Sequence, residues 1–175
     1  MILPSQRATR LHFFRLSPEA DSLIRVQGED FDIGAEIARM TEGNTEIGGL
    51  ASFVGLVRDY AGDETITSMT LEHYPGMTEK QLERLEAEAR ERWDLRDVLI
   101  IHRYGKLMPG DRIVLVVTAS THREASLKSC QFLIDWLKTK APFWKLEDMD
   151  SGAKWVESRQ EDFVAADRWV RVTDG

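Results

Sequence analysis

Cysteine is nearly absent from this chain of 175 residues, which contains only Cys130. A single cysteine excludes an internal disulfide framework. It also excludes any zinc or iron–sulfur site that takes several thiolates from one chain. Low cysteine content is typical of proteins in a reducing compartment, so a cytoplasmic protein is expected.

Long hydrophobic runs and an excess of positive charge are also missing. No stretch approaches the roughly 20 apolar residues that span a bilayer, and the first ten residues lack the apolar segment of a signal peptide. The 23 Lys and Arg residues are outnumbered by 30 Asp and Glu, giving a net charge of -7. The lack of long apolar runs argues against a membrane protein, and the charge balance argues against broad nucleic-acid binding. Any anion site must therefore be a local concentration of cations.

The common catalytic signatures are absent as well. The sequence has no GxGxxG, GxxxxGK[ST], HExxH or GxSxG motif. The usual signals for dinucleotide binding, a P-loop, a zinc protease and a serine hydrolase elbow are therefore missing. The chemistry must depend on a less generic arrangement of residues.

The chain divides into an extension and one domain. Residues 1–21 contain Pro4 and Pro18 and show no sustained hydrophobic period, so we predict a flexible N-terminal extension. Residues 22–175 are predicted to form a single domain. Helices alternate with hairpins whose connections are too short for regular crossover helices, which favours an α+β fold over a doubly wound sheet.

Helix starts and strand segments can be placed from capping and hydrophobic patterns. The predicted helix caps are Asp32, Thr78 with Gln81, Thr121 with Glu124, and Ser158 with Glu161. The predicted strands are 47–57, 65–74, 98–104, 113–119, 143–147 and 154–157. The first of these contains three glycines, which indicates close approach by another backbone or by a ligand.

Cationic side chains lie at the ends of the predicted elements, where functional sites collect. His122 and Arg123 begin a helix whose free N–H groups favour an anion, although a solvated first turn is the simpler interpretation. Lys138 and Lys145 lie near the C-terminal end of that helix, where cations favour the dipole without any ligand. Phe143 and Trp144 separate the two lysines and could form a partly dry wall beside them.

Other reactive residue types favour structural roles. Cys130 lies in the apolar pattern of a helix and is predicted to be a buried side chain rather than a nucleophile. His73 and His102 lie in strand patterns and are predicted to be core or subunit-contact residues rather than general bases.

One stretch carries a specific resemblance. Residues 71–80, Leu-Glu-His-Tyr-Pro-Gly-Met-Thr-Glu-Lys, closely resemble a characteristic segment of molybdopterin synthase large (catalytic) subunits. Further matches follow in the same order at 53–58, 102–103, 109–111, 120–123, 137–145 and 155–159. The resemblance spans roughly residues 23–169 and leaves the extension outside it.

This resemblance implies an α/β-hammerhead fold with an additional antiparallel β subdomain. It also implies a homodimer of large subunits within a heterotetramer that holds small ubiquitin-like sulfur-carrier subunits. The carrier's Gly-Gly C-terminus bears a thiocarboxylate, and two sulfur transfers convert cyclic pyranopterin monophosphate (precursor Z) to molybdopterin in molybdenum cofactor biosynthesis. No bound metal or redox cofactor is implied.

The resemblance also assigns roles to residues. Lys138 and Lys145 are expected to be catalytic, with the division of labour between them left open. The expected substrate-binding set is Leu56, Val57, Arg58, His122, Arg123, Lys138, Lys145, Leu146, Glu147 and Arg159. Leu56 departs from the family, which often has lysine there, so that a contact at this point would have to come from the backbone of Leu56 or Val57.

Two other functions compete with this one. A noncatalytic adaptor could bind a ubiquitin-like tail through the same groove, and a phosphate-ester-binding enzyme could use Arg58, His122 and Arg123. The sulfurtransferase interpretation requires that folding gather the cations between Arg58 and Arg159 into one crevice, within one chain or after pairing with a second copy.

Overall fold

The computed structural model describes residues 23–156 and 160–170. The predicted extension, Ser158 and Arg159 lie outside these ranges. The elements, in chain order, are β1 (Ile24–Gln27), α1 (Ile33–Thr41), β2 (Gly49–Leu56), β3 (Tyr60–Ala61), β4 (Glu64–His73), α2 (Met77–Arg92), β5 (Leu95–Arg103), β6 (Gly105–Leu107), β7 (Arg112–Ser120), α3 (Arg123–Thr139), β8 (Phe143–Met149), β9 (Gly152–Val156) and α4 (Gln160–Asp167).

Two sheets organise the fold. The first has the order β1-β5-β7-β2, in which β1 runs parallel to β5 and the other neighbours are antiparallel. The second is antiparallel with the order β3-β4-β8-β9, and β6 also pairs with β4. These sheets and helices confirm the α+β class and the additional antiparallel β subdomain of the predicted α/β-hammerhead.

The first sheet is buried on both faces. Along β5, Val98 and Ile100 pack towards α2 and α3, while Leu99 and Ile101 pack towards α1. Alternate strand residues point to opposite faces, so the continuous apolar run predicted for this segment reflects helices on both sides. The predicted pairing of β5 with β7 is confirmed, with β6 leaving the hairpin to join the second sheet.

The helix caps follow the sequence only in part. Asp32 caps α1 as predicted, because its Oδ1 accepts a hydrogen bond from Ala35 N at 2.8 Å. The predicted cap at Thr78 is wrong: α2 starts at Met77, Glu79 accepts from Gly76 N, and the Thr78 hydroxyl accepts from Tyr74 N.

The predicted cap at Thr121 is also wrong. The N-cap of α3 is His122, which makes no side-chain capping bond. The Thr121 hydroxyl instead donates to Glu46 O and accepts from Arg96 Nε at 3.1 Å. The Thr121 hydroxyl, which the local spacing assigned to the helix cap, is therefore hydrogen-bonded to residues that are distant in sequence.

The strand with three glycines is approached by backbone, as the sequence predicted. An added Cβ at Gly48 would lie 2.2 Å from Thr121 O, and one at Gly49 would lie 3.1 Å from the Arg123 backbone. The N-terminal end of α3 therefore packs directly on the backbone at the start of β2.

Among residues 23–156 and 160–170, no helix is long and apolar enough to cross a membrane.

Candidate functional site

A cleft of about 690 Å³ lies where the two sheets meet the C-terminal end of α3. Its floor is largely apolar and comes from β4, β7 and α3, with Ile66, Met69, Leu71, Ile113 and Leu137 among its residues. Polar and charged side chains also line the cleft. Large apolar pockets with a few convergent polar groups are the usual form of small-molecule sites.

Three predicted site cations line this cleft. Arg58 follows β2, Lys138 lies in the last turn of α3, and Lys145 lies in β8. The Arg58 guanidinium lies over the Tyr60 ring at 5.4 Å from its centroid. Folding thus brings together three side chains that are far apart in sequence.

Each lysine has a carboxylate close to it. Lys138 Nζ lies 3.2 Å from Asp162 Oδ1 at the start of α4, and Lys145 Nζ lies 2.9 Å from Glu147 Oε1. Glu147 is 3% exposed, so Lys145 is a cation placed beside a buried carboxylate. No sequence pattern marked Asp162 as a site residue, because its approach to Lys138 depends on how α4 packs against α3.

Strand alternation decides which residues of β8 face the cleft. Phe143, Lys145 and Glu147 line it, whereas Trp144 and Leu146 fall on the opposite face. Trp144 packs edge-on against Tyr74 at 5.2 Å. Only Phe143 of the two aromatic residues therefore supplies a wall beside the lysines.

Leu56 and Val57 differ in how available they are for contact with a ligand. Leu56 lines the cleft and is 53% exposed. Val57 is buried, its N–H donates to Asp111 O at 2.9 Å, and its carbonyl accepts from Gly110 N at 2.8 Å. A backbone contact at this point would fall to Leu56.

His122 and Arg123 are both exposed and do not line the cleft. They lie at the N-terminal end of α3, whereas Lys138 lies 15 residues further along the same helix. A rise of 1.5 Å per residue separates Arg123 from Lys138 by roughly 22 Å. One chain therefore does not bring all the predicted cations together. Arg159 lies outside the described residues.

His102 lines the cleft, a position that its strand pattern did not reveal. Its ring stacks on Phe143 at 3.7 Å between centroids and 16° between planes. Burial lowers the pKa of His102 to about 4, and the nearby charge of His73 adds to this effect. The imidazole is therefore neutral at pH 7, and its burial agrees with the predicted core character.

Two further observations concern nucleophiles and metals. Cys130 is buried, and this burial raises the pKa of its thiol to about 11, which agrees with the predicted structural role. Across the described part of the chain, no group of three or more His, Cys, Asp or Glu side chains could hold a metal ion.

Comparison with known proteins gives consistent matches. The family model described as MoaE protein matches residues 26–140. The chain is 53% identical over 151 residues to the molybdopterin synthase catalytic subunit of Ralstonia nicotianae, covering 86% of each chain. It is 50% identical over 146 residues to the Pseudomonas aeruginosa protein of that name, covering 83% of this chain and 97% of the relative.

Solved structures share the fold. The Burkholderia ambifaria molybdopterin biosynthesis MoaE protein matches with a TM-score of 0.73 and 50% identity, covering 85% of this chain and 98% of its own. The Staphylococcus aureus molybdopterin synthase structure matches with a TM-score of 0.71 and 28% identity, covering 77% and 97%. A Helicobacter pylori complex of subunits 1 and 2 of molybdopterin-converting factor, at 18% identity and a TM-score of 0.64, shows the same fold over 79% and 92%.

Proposed function

Because the chain belongs to the MoaE protein family, we propose that it is the catalytic subunit of a molybdopterin synthase and acts as a sulfurtransferase. In this proposal it moves two sulfurs from the thiocarboxylated Gly-Gly tail of a small ubiquitin-like subunit to cyclic pyranopterin monophosphate. The observation that carries it is the convergence of Arg58, Lys138 and Lys145 on one apolar-floored cleft. The substrate phosphate and the thiocarboxylate are both anions, and the apolar floor suits a flat pterin.

The chemistry needs two anions to be held side by side. A cationic site can offset their repulsion and fix their geometry, which makes a bimolecular step effectively intramolecular. Cations that already point at the reacting centre also stabilise the charge that moves from sulfur to oxygen as thiocarboxylate becomes carboxylate. We assign Lys138 the chief catalytic role, stabilising or covalently trapping the reacting centre.

Lys145 is well placed to receive the partner's tail. Lys145 and Glu147 line the main cleft and also a neighbouring cavity of about 430 Å³ that extends along β9. A tail entering through the second cavity would reach Lys145 before it reached Lys138. This placement supports the predicted role of Lys145 and Glu147 beside the carrier's C-terminus.

The charge of the cleft suggests that one chain does not complete the site. Its described lining contains three cationic side chains and three carboxylates, namely Glu147, Glu161 and Asp162. The formal charge of this lining is zero, which is unfavourable for holding two anions. We propose that a homodimer supplies the missing cations, with His122 and Arg123 of a second copy reaching the cleft. No metal or redox cofactor takes part in this scheme.

The test is a reconstituted reaction. The purified chain, a thiocarboxylated small subunit and cyclic pyranopterin monophosphate are expected to yield dithiolene, and omission of any one component should abolish it. Lys138→Ala should lower the rate by about a thousandfold or more, because it removes a group that acts on the reacting centre. Binding of the small subunit should remain.

Lys140→Ala is the matched control. Lys140 lies two residues beyond Lys138, and its Nζ lies 3.4 Å from the centre of the Trp136 ring rather than in the cleft. Its removal should leave turnover nearly unchanged. Near-normal turnover by Lys138→Ala would overturn the assignment. Weakened partner binding, with no dithiolene formed by the wild-type chain, would instead favour a noncatalytic adaptor.

A further inference from the structure

His102 is a deeply buried polar ring that lines the proposed substrate cleft. It is 9% exposed and lies at the end of β5, on the same strand face as Val98 and Ile100. Phe143 stacks on one face of the imidazole, with the ring planes 16° apart. A ligand in the cleft can therefore approach the imidazole by its edge rather than by the face that Phe143 covers.

The hydrogen bonding of His102 fixes its tautomer. Nδ1 lies 2.9 Å from the carbonyl oxygen of Arg103. A carbonyl can only accept, so Nδ1 carries the proton of the neutral ring, and Nε2 carries a lone pair. Among residues 23–156 and 160–170 the bond to Arg103 O is the ring's one hydrogen bond, and Nε2 is not among the fully buried polar atoms that lack a partner there, so Nε2 remains partly accessible from the cleft that His102 lines.

Several apolar side chains line the same cleft as His102. Ile66, Met69 and Leu71 of β4 and Ile113 of β7 share the cleft with His102. Water in the cleft can donate a hydrogen bond to Nε2 in the free chain, and a ligand with an N–H at this point would take the place of that water. A ligand that brings an N–H to this point would satisfy Nε2 in a setting where a hydrogen bond is strong.

We infer that His102 recognises the heterocyclic part of the substrate, with Nε2 accepting a hydrogen bond from an uncharged N–H of a flat ring. The ring lies on the apolar floor, and the anionic part of the same molecule lies towards Arg58, Lys138 and Lys145. His102 is thus a specificity-determining residue that selects N–H-bearing heterocyclic phosphates over phosphates without such a ring. This inference rests on the proposed function, which supplies the pterin phosphate as ligand.

The first test measures binding by titration calorimetry. His102→Phe keeps a flat ring against Phe143 but removes the acceptor, so cyclic pyranopterin monophosphate should bind about tenfold more weakly. His102→Gln keeps an acceptor and a donor and should remain within about threefold of wild type. The matched control is His73→Phe, because His73 stacks on Tyr104 at 4.5 Å and does not line the cleft. It should bind like wild type.

A second measurement uses the wild-type chain and stays decisive if His102→Phe does not fold. In nitrogen-15 spectra of histidine-labelled protein, assigned with His102→Gln, the Nε2 resonance should move upfield when the pterin phosphate is added. Inorganic phosphate alone should leave it in place.

The outcomes separate the two claims. Unchanged affinity of folded His102→Phe, or an unmoved Nε2 resonance in the pterin complex, overturns the role of His102 and leaves the proposed function standing. Failure of the wild-type chain to bind the pterin phosphate overturns the proposed function, and this inference with it.

Discussion

Each of the two cleft lysines is held in place by a carboxylate before any substrate binds. Lys145 is paired with the buried Glu147, and Lys138 is paired with Asp162. An entering anion must share these lysines with the carboxylates or displace them. The pairs therefore position the ammonium groups while lowering the net charge that the cleft offers.

His102 makes stability depend on pH. Its pKa is about 4 in the folded chain, against an ordinary value of 6.5, because burial disfavours the charged ring. The unfolded chain therefore binds the extra proton first as pH falls. The stability from a neutral His102 is fully present above pH 6.5 and is lost progressively down to about pH 4.

We predict that His102 lowers the free energy of unfolding by about 2 kcal/mol between pH 7 and pH 5. Urea unfolding of wild type and of His102→Phe at both pH values isolates this contribution, because the carboxylates that also titrate are common to the two proteins. A difference between them that stays constant with pH would show that the folded chain protonates His102 as easily as the unfolded chain does.

Sequence reasoning identified the cations of the site better than their partners. Arg58 and Lys138 stand out because they lie at element ends, and the family resemblance marks both of them together with Lys145, which lies within β8. Asp162 and His102 could not be predicted as cleft residues. Each position depends on tertiary packing that no local pattern encodes. α4 packs against α3 and brings Asp162 to Lys138, and Phe143 of β8 packs on the His102 ring.

At the scale of elements, β2 and α3 form one unit through their glycine contact. Gly48 and Gly49 let the backbone of β2 approach residues 121–123 more closely than any side chain would permit. This contact fixes where α3 begins, and so it fixes the direction of His122 and Arg123. Lys138 lies in the last turn of the same helix, which links the two groups of site residues rigidly.

Gly48→Ala tests this unit. Its methyl group would lie 2.2 Å from Thr121 O, so the backbone must shift, and we expect a loss of about 1–3 kcal/mol in the free energy of unfolding. Gly28→Ala is the control, because nothing lies within 4 Å of its added Cβ. It should be neutral, or stabilising by about 0.4–1 kcal/mol, through a less flexible unfolded chain. Equal midpoints in urea for both variants would refute the close approach.

Local sequence patterns predicted an element correctly where a local interaction alone determines it. Within the described residues, the hydrogen bond of the Asp32 side chain is the one that caps α1. Thr121 fails as a cap because Glu46 and Arg96 engage its hydroxyl. The order of the strands could not be predicted for a related reason, because it depends on pairing between distant residues. β6 leaves the β5–β7 hairpin and pairs with β4, and no local sequence signal marks this pairing.

The whole molecule is acidic, with a net charge of -7, yet its proposed substrates are anions. One chain concentrates Arg58, Lys138 and Lys145 in the cleft and leaves His122 and Arg123 roughly 22 Å away at the other end of α3. A twofold symmetric dimer can bring that end of one copy to the cleft of the other, forming two equivalent shared sites.

The central claim is that these separated cations form one catalytic crevice, and defined heterodimers test it most directly. Two differently tagged chains are co-expressed, one with Lys138→Ala and one with Arg123→Ala, and the doubly tagged dimer is purified. A shared site predicts one intact site in two, hence about half of the wild-type dithiolene rate. A dimer of wild type with the double variant should then be nearly inactive. The reverse pattern, with activity only when both substitutions share a chain, would contradict the account.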